Sequence, residues 1–364
     1  MKAGIVGLPN VGKSTLFNCL SNAKAQSANF PFCTIEPNIG IVNVPDKRLS
    51  KLSDLINPQK VVPATVEIVD IAGLVKGASK GEGLGNKFLA NIRETDAIIH
   101  VLRCFDNDNI VHVDGSINPT RDKETIDIEL QLKDLETIEK KIEKTFRLAK
   151  TGNKEAQKEI LILEKVKIEL EKSNNVRSIN FSEEERRLYI SPLQLITEKP
   201  VLYVCNVSET DAIEGNAYVE EVEELLVKEK AEIIYLAVST EADINDLDSY
   251  EERKMFLDDL GLDEPGVSRL IRKTYQLLNL QTYFTAGEKE VRAWTIPVGS
   301  SAPQSAGVIH SDFEKGFIKA EVISFEDLIS FGSESKVKEA GKIRVEGKEY
   351  ILQDGDVMHF RFNT

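Results

Sequence analysis

The sequence predicts an α/β fold with a mostly parallel sheet, helices on both of its faces, an inserted helical hairpin and a C-terminal module of β-strands. Five short apolar runs, separated by longer segments, indicate the strands of the sheet: AGIVG, TVEIVDIAG, AIIHVLRCF, PVLYVCN and EIIYLAVS. Between the third and fourth runs, apolar residues recur every three or four positions, which is typical of helices. From about Asn279 the chain changes to short β-like runs, which indicates a second domain.

The composition is that of an ordinary soluble protein with room for two or three domains. The chain has 364 residues, of which 41% are hydrophobic and 29% are charged. A net charge of −14 argues against a surface that coats nucleic acid, so DNA is not an expected partner. No run approaches about 18 apolar residues, so we expect no membrane partner and a cytoplasmic location. Four scattered cysteines indicate free thiols in a reducing compartment: Cys19, Cys33, Cys104 and Cys205.

The first apolar run leads directly into a glycine-rich turn. The stretch AGIVGLPNVGKST carries Gly7, Gly12, Lys13 and Ser14 in the spacing G-x-x-x-x-G-K-[ST]. These glycines let backbone N–H groups close around phosphate oxygens, and the following helix points its positive end at them. Lys13 would bridge the β- and γ-phosphates, and the Ser14 hydroxyl would ligate Mg²⁺. The alternative is a strand-to-helix turn that needs no ligand. The predicted phosphate-side residues are Asn10, Val11, Gly12, Lys13, Ser14 and Thr15.

The second apolar run ends on a carboxylate. In ATVEIVDIAG, Asp70 closes the strand and Gly73 follows three residues later. Asp70 can hold Mg²⁺ through water, and the Gly73 N–H can contact a γ-phosphate. Lys13 and Gly73 are therefore predicted catalytic residues. Thr34, in the loop ANFPFCTIEPNIG, is a candidate second Mg²⁺ ligand. Asp70 and Thr34 could instead be ordinary turn residues. The glycines between positions 73 and 86 predict a loop that the nucleotide orders.

Together these motifs resemble a known family. The sequence is similar to the YchF family, the Obg-like ATPases among translation-factor-class P-loop proteins, over nearly the whole chain. The segments that carry the resemblance are GLPNVGKST, FPFCTIEPN, DIAGLVKGASKGEGLGNKFLANIRETDAI and NLQTYFTAGEKEVRAWTIPVG. The resemblance implies a Mg²⁺-dependent nucleotide hydrolase that prefers ATP, in a fold whose relatives use GTP. It also implies a ribosomal partner, the ribosome or its large subunit, including ribosomal RNA.

The fourth apolar run ends where a guanine-reading protein carries Asn-Lys-x-Asp. Here the sequence reads Asn206, Val207, Ser208 and Glu209. Glu209 is longer than the Asp of that motif and Val207 is smaller than its Lys, so the groups that bind guanine would be misplaced. The Val207 carbonyl could instead accept a hydrogen bond from the adenine amine. Ser239, in LAVSTEAD, is the expected residue of the last base-side loop. A strand-end cap is the alternative role for Asn206 and Glu209.

The position that orients water in Ras-type enzymes is occupied by Leu74 rather than glutamine. Leucine cannot orient water, so hydrolysis needs another group or a partner. His112, in NDNIVHVDG, is a candidate catalytic residue because imidazole can polarise water near neutral pH. A histidine at the surface or at a strand edge is the alternative. His100 lies in a buried-strand pattern and is expected in the core.

The helical pattern predicts an antiparallel hairpin that breaks at TGNK, residues 151–154. From Lys140 to Lys158 the sequence has seven basic and two acidic residues. The hypothesis is that this tip contacts ribosomal RNA, and the alternative is a solvated helix face. The RNA residues predicted are Lys140, Lys144, Arg147 and Lys150.

The predicted domains are a P-loop domain at 1–125 and 196–278, a hairpin insert at 126–195, and a C-terminal domain at 279–364. The last resembles a TGS module, a ubiquitin-like β-grasp, with AGVIHSDF as its marker. Two other functions stay open at this point. One is a GTPase with the same mechanics, and the other is a nucleotide-gated ribosome- or RNA-binding adaptor whose turnover is incidental.

Overall fold

The fold is taken from a computed structural model that describes residues 1–22, 39–71, 84–227, 229, 231–247 and 249–363, with only the backbone described at Asn22 and 84–87. Three predicted site positions, Thr34, Gly73 and Leu74, lie outside the described residues. Within the described part of the chain, no helix is both long and apolar enough to cross a membrane.

The strands are, in chain order, β1 Lys2–Val6, β2 Ile39–Asn43, β3 Val61–Val62, β4 Thr65–Asp70, β5 Ala97–Arg103, β6 Val201–Asn206, β7 Glu232–Leu236, β8 Leu280–Ala286, β9 Val291–Pro297, β10 Phe317–Ser324, β11 Arg344–Glu346 and β12 Asp356–Phe362. The α-helices are α1 Lys13–Asn22, α2 Lys47–Ile56, α3 Leu84–Arg93, α4 Pro119–Ala149, α5 Lys154–Glu171, α6 Glu183–Glu185, α7 Ala217–Leu226, α8 Val238–Asp246, α9 Tyr250–Asp259, α10 Gly266–Leu277, α11 Ala302–Ile309, α12 Ser311–Lys315, α13 Phe325–Phe331 and α14 Glu334–Glu339. A π-helical turn, Arg186–Ile190, continues α6, and single 3₁₀ turns lie at Val176–Ser178, Ser191–Leu193, Ile196–Glu198 and Glu209–Asp211.

The five predicted strands form one sheet together with β2, with strand order β2-β4-β1-β5-β6-β7. The pairs from β4 through β1, β5 and β6 to β7 are all parallel, and Ile5 of β1 lies opposite both Asp70 and Ile99. Every residue of β5 and β6 is buried, as expected for central strands of a parallel sheet covered on both faces. The carboxyl ends of β1, β4 and β6 therefore bring the predicted motifs to one edge of the sheet.

Helices α4 and α5 form the predicted antiparallel hairpin. Its turn includes Gly152 with φ of +85°, and the Asn153 side chain caps α5 by accepting from the Ala156 N–H. The apolar contact between the two helices centres on Ile138 and Leu163, both fully buried. At 1.5 Å per residue, the 31 residues of α4 extend about 46 Å.

The first half of α4 departs from its predicted apolar face. Ile128 and Leu132, which fall in the recurring apolar pattern, are 47% and 38% exposed. Charged and polar side chains share the buried face with apolar ones, because the polar groups find partners there. Lys123 donates to Asp127 at 2.7 Å, and Asp134 accepts from the backbone N–H groups of residues 196 and 197.

Backbone contacts divide the chain into two compact units. The first contains Met1–Gly40 and Glu67–Leu270, and the second contains Ile41–Val66 and Ile271–Thr364. Helices α4 and α5 therefore belong to the first unit. Residues 41–66, which the sequence predicted inside the P-loop domain, group with the C-terminal strands.

The second unit has a mixed sheet of strand order β11-β10-β12-β8-β9-β3. Antiparallel pairs join β8 to β9 and β10 to β12, whereas β8 and β12 are parallel. Tyr283 and Phe360 pack edge to face in its core. Two long-range contacts attach residues 41–66 to this unit: Val61 pairs with Val291, and Arg48 forms an ion pair with Asp354 at 2.7 Å.

Candidate nucleotide-binding site

The turn between β1 and α1 has the geometry that the glycine spacing predicts. Gly12 has φ of +101°, and a Cβ there would lie 2.5 Å from Nδ2 of Asn206. A Cβ on Gly7 would lie 2.6 Å from the Val101 carbonyl oxygen. Asn10 also has a left-handed backbone, with φ of +64°. Glycine is therefore favoured at position 7 by the close approach of another backbone, and at position 12 by its left-handed φ and the Asn206 side chain beside it.

Lys13 is buried at the start of α1. Its Nζ donates to the Leu8 carbonyl at 2.7 Å, so the side chain folds back over its own loop. Burial lowers the pKa of Lys13 to about 8, and the negative charge of Asp70 opposes that change only partly. The charge of the buried ammonium is only partly neutralised by Asp70, so an anion beside it would be stabilised. Such a site is suited to bind phosphates.

Asp70 and Ser14 lie together as the metal prediction requires. The Ser14 Oγ and Asp70 Oδ2 are 3.5 Å apart. The other carboxylate oxygen, Oδ1, is buried and has no hydrogen-bond partner among the described residues. Burial raises the pKa of Asp70, against the effects of Lys13 and Ser14. An unsatisfied carboxylate oxygen beside a hydroxyl is the donor set that Mg²⁺ prefers, so these two residues fit the ion. Thr15, the next residue of α1, is exposed.

Asn206 joins two loops at the end of β6. Its Nδ2 donates to the Val11 carbonyl at 3.0 Å, and its Oδ1 accepts from the Val238 N–H at 3.1 Å. The side chain is buried, so each bond is shielded from water. Asn206 therefore positions the phosphate loop relative to the first turn of α8. The sequence predicted a base contact or a strand-end cap for this residue. The observed bonds are those of a strand-end residue whose side chain joins two loops.

The remaining base-side residues lie around the same strand end. Val207 is buried, and its N–H donates to the Leu236 carbonyl at 3.1 Å. Glu209 is exposed and accepts from the Thr240 hydroxyl at 3.2 Å. Ser239 is exposed in the first turn of α8, next to Thr240. The structure thus brings Asn206, Val207, Glu209 and Ser239 to one region.

His112 is held inside the loop that follows β5. Its Nε2 lies 2.8 Å from the Asp122 carboxylate, and its Nδ1 accepts from the Asp114 N–H at 3.1 Å. The Nε2 atom therefore carries the proton and donates to Asp122. With both ring nitrogens engaged and the side chain only 5% exposed, the imidazole has no atom available to water in this conformation. Arg121 bonds the second oxygen of Asp122 at 2.9 Å and completes an ion-paired cluster.

Two contacts of this loop were not apparent from the sequence. The buried Arg103 guanidinium donates to the carbonyls of residues 105, 107 and 110, which shapes the loop from inside. The Val111 carbonyl accepts from Nδ2 of Asn10 at 3.1 Å, so the loop touches the phosphate loop. An arginine that ends a buried strand was the only sequence signal for the first contact. His100, three residues earlier in the same strand, is buried as expected, with its ring 5.3 Å from that of Tyr203.

The predicted RNA residues lie on the outer half of α4 and at its C-terminal cap. Lys144, Arg147 and Lys150 are exposed, and the Lys150 ammonium lies 4.7 Å from the ring centre of Phe146. Lys140 forms an ion pair with Glu136 in its own helix. The structure therefore places these cations on the surface but does not give them equivalent surroundings.

Comparison with known proteins places the chain in a family. A family model described as 50S ribosome-binding GTPase matches residues 2–237, and the model YchF-GTPase_C, described as a protein of unknown function, matches residues 280–363. A protein of Escherichia coli O157:H7 named Ribosome-binding ATPase YchF is 58% identical over 363 residues, covering 100% of this chain and 99% of the relative. The chain belongs to the YchF family. A Bacillus subtilis protein of the same name is 55% identical, with both chains fully covered.

A solved structure supports the same assignment. The YchF GTPase of Schizosaccharomyces pombe matches with a TM-score of 0.90 and 39% identity, over 99% of this chain and 97% of that chain. The family resemblance and the predicted fold class, a P-loop α/β fold with a C-terminal domain, are therefore confirmed. The names of the relatives imply different nucleotides. The bacterial YchF proteins are named as ATPases, whereas the yeast protein is named as a GTPase.

Proposed function

We propose that this chain is a Mg²⁺-dependent ATPase that binds ribosomes and acts as a nucleotide-dependent regulator in translation or stress response. The bacterial relatives carry the name ribosome-binding ATPase. The observation that carries the chemistry is the cluster of Lys13, Ser14 and Asp70, in which a buried cation and an unsatisfied buried carboxylate oxygen face one loop. Burying a cation and an unsatisfied carboxylate oxygen costs free energy, which bound phosphates and a metal ion would offset.

The residues of the phosphate loop would act by binding and charge compensation. Backbone N–H groups of residues 10–15 would surround the phosphates, and Lys13 would leave the Leu8 carbonyl to contact the β- and γ-oxygens. Ser14 and Asp70 would hold Mg²⁺, with Thr34 as a further ligand, and the ion would neutralise charge on the phosphates. Gly73 would donate its N–H to the γ-phosphate. Catalysis here consists mainly of positioning and electrostatic stabilisation.

For the base, we propose adenine in preference to guanine. The Glu209 carboxylate already accepts from Thr240, and Val207 is buried, so neither side chain is arranged as the Asp and Lys of a guanine clamp. Asn206, Val207, Glu209 and Ser239 are the proposed base-side residues. The name of the yeast relative, YchF GTPase, keeps a GTPase with the same mechanics as the second candidate.

For the attacking water, His112 remains a proposal. For His112 to act on water, one of its two ring hydrogen bonds, to Asp122 or to the Asp114 N–H, must break when nucleotide binds. The contact between Asn10 and Val111 gives the phosphate loop a direct means to move that segment.

For the partner, we propose the ribosome or its large subunit, with contact to ribosomal RNA through the outer half of α4. A cytoplasmic location and the absence of DNA or membrane partners remain predictions from the sequence.

Steady-state hydrolysis tests this function. Purified protein should hydrolyse ATP faster than GTP in the presence of Mg²⁺, well below the ~10 s⁻¹ typical of enzymes, and should sediment with ribosomes. The variant Lys13→Ala should lose hydrolysis, and Lys154→Ala, at an exposed lysine of α5, should retain it. Full activity in Lys13→Ala would contradict the phosphate-site assignment. Ribosome co-sedimentation without measurable hydrolysis would favour the nucleotide-gated adaptor.

A further inference from the structure

The direction of the Glu209 carboxylate is set by one hydrogen bond from a buried side chain. Glu209 begins the 3₁₀ turn after β6 and is exposed, yet its Oε2 accepts from the Thr240 hydroxyl at 3.2 Å. Thr240 is only 3% exposed and lies in the first turn of α8. Among the described residues, this hydroxyl is the only donor to the carboxylate. An exposed negative charge is therefore held at α8 by a buried hydroxyl.

The backbones that carry these two side chains are fixed by other bonds. The Ala212 N–H donates to the Glu209 carbonyl at 3.2 Å and closes the turn after β6. The Val238 N–H donates to Oδ1 of Asn206 at 3.1 Å, which holds the first turn of α8 to the end of β6. Loss of the Thr240 hydroxyl should therefore leave both backbones in place and release only the carboxylate.

The N-terminal end of α8 attracts the same carboxylate. The first turn of a helix carries a partial positive charge, and Ala237 at the N-cap provides no side-chain acceptor for it. Glu241, the other acidic residue of this turn, is engaged elsewhere, because its carboxylate accepts from the N–H groups of residues 266 and 267. The Thr240 hydroxyl and the helix end therefore hold the Glu209 carboxylate in the same direction.

The direction of a carboxylate in a base site affects which purine binds there. The edge of guanine presents two donors, the N1–H and the exocyclic amine, and a carboxylate can accept from both. Adenine has an unprotonated N1 at the same position, and its lone pair repels a carboxylate. A carboxylate turned toward the base would therefore favour guanine and oppose adenine, whereas a carboxylate held at α8 does neither.

We propose that Thr240 is a specificity-determining residue for the nucleotide base, because it holds the Glu209 carboxylate away from the edge of the purine. The inference rests on the proposed adenine preference and adds the residue that maintains it. Glu209 has one methylene more than the aspartate of a guanine-reading protein, so its carboxylate can turn toward the base once it is released. Thr240 acts through Glu209 and does not itself contact the base.

The test measures the dissociation constants of AMP-PNP and GMP-PNP, which resist hydrolysis, by isothermal titration of the full-length protein with Mg²⁺. The variant Thr240→Val keeps the shape of the side chain and removes its hydroxyl. A hydrogen bond to a charged group changes an equilibrium by about tenfold or more. The affinity for GMP-PNP relative to AMP-PNP should therefore rise by about tenfold in Thr240→Val. Both nucleotides use the same phosphate loop, so this ratio is insensitive to damage that affects both equally.

Two further variants show whether Thr240 acts through Glu209. Thr240→Ser keeps a hydroxyl and should restore the wild-type ratio. In a Glu209→Gln background no carboxylate remains to be released, so adding Thr240→Val should change the ratio by no more than about twofold. A tenfold change in that background would overturn the proposal, because Thr240 would then act on the base without Glu209.

A matched control makes the same substitution beside Glu209. Thr210 is exposed, and its hydroxyl contacts Ser208 and Asp211 rather than Glu209. Thr210→Val should keep the wild-type ratio, and a change as large as that of Thr240→Val would overturn the proposal. Far-UV circular dichroism of each variant establishes that the helices are retained.

The wild-type ratio separates this inference from the proposed function. If the wild type prefers AMP-PNP and Thr240→Val has the same ratio, the role of Thr240 fails and the adenine preference stands. If the wild type shows no preference while Thr240→Val gains affinity for GMP-PNP, the adenine preference fails and the role of Thr240 stands. If the wild type binds neither nucleotide, both fail.

Discussion

Replacing Lys13 with methionine should stabilise the protein without nucleotide while abolishing ATP binding. Burial lowers the pKa of Lys13 from 10.5 to about 8. At about 1.4 kcal/mol per pKa unit, this difference represents about 3 kcal/mol of unfavourable free energy for the charged amine in the folded state. The hydrogen bond from Lys13 to the Leu8 carbonyl offsets about 1 kcal/mol. The Lys13→Met variant should therefore be more stable than the wild type by about 2 kcal/mol at pH 7.

The pH dependence of this difference follows from the direction of the pKa change. Below pH 8 the lysine is protonated in both the folded and the unfolded states, so the full cost of the buried charge is present. Between pH 8 and 10.5 the folded lysine releases its proton while the unfolded lysine keeps it, so wild-type stability rises with pH. The stability difference between the two proteins should therefore close by about pH 10.

Urea denaturation from pH 7 to pH 10, followed by far-UV circular dichroism, measures this difference. The helical signal is needed because the only tryptophan, Trp294, lies in the second compact unit. Lys154→Met, an exposed lysine in the first unit, is the control and should match the wild type. ATP with Mg²⁺ at about 100 times its dissociation constant should stabilise the wild type by about 2.7 kcal/mol and Lys13→Met hardly at all. A variant that is less stable than the wild type at pH 7, with a difference independent of pH, would refute the reasoning.

Three further predictions concern the neighbouring residues. Ser14→Ala and Asp70→Asn should each raise the Mg²⁺ concentration needed for half-maximal hydrolysis by about tenfold or more, because the first removes an oxygen ligand and the second removes the negative charge that holds the ion; an unchanged requirement would contradict the metal assignment. Asn206→Ala should cost about 2 kcal/mol of unfolding free energy and weaken ATP and GTP analogues by similar factors in a binding titration, since two buried hydrogen bonds are lost; a loss confined to ATP would identify a direct base contact instead. Asp122→Asn should alter turnover at saturating ATP more than nucleotide affinity, because it loosens the His112 ring. If His112→Ala and Asp122→Asn both leave turnover unchanged, His112 has a structural role only.

The geometry of the loop between β1 and α1 could be predicted because its requirements are local. Gly7, Gly12, Lys13 and Ser14 lie within eight consecutive positions, and backbone geometry at a strand-to-helix turn requires that spacing. Asp70 was recognisable because an acidic residue ends an apolar strand. The parallel strands and the hairpin followed from the two hydrophobic periods.

Features that depend on distant partners were not predictable in the same way. Arg48 and Asp354 are separated by 306 residues, so nothing near residues 41–66 indicated that they pack with the C-terminal strands. The hydrophobic period of α4 predicted the helix but not its buried polar face, so the pattern did not indicate that Ile128 is exposed. The bond between Glu209 and Thr240 likewise joins two loops that only the fold brings together.

The most direct test of the central claim is a competition titration of ATP and GTP analogues against the purified protein with Mg²⁺. A fluorescent non-hydrolysable ATP analogue is bound first, and each unlabelled nucleotide then displaces it. The account predicts that the ATP analogue binds more tightly than the GTP analogue and that Lys13→Ala binds neither. Equal or tighter binding of the GTP analogue would contradict the assignment of the base site, and binding of neither by the wild type would contradict the nucleotide site as a whole.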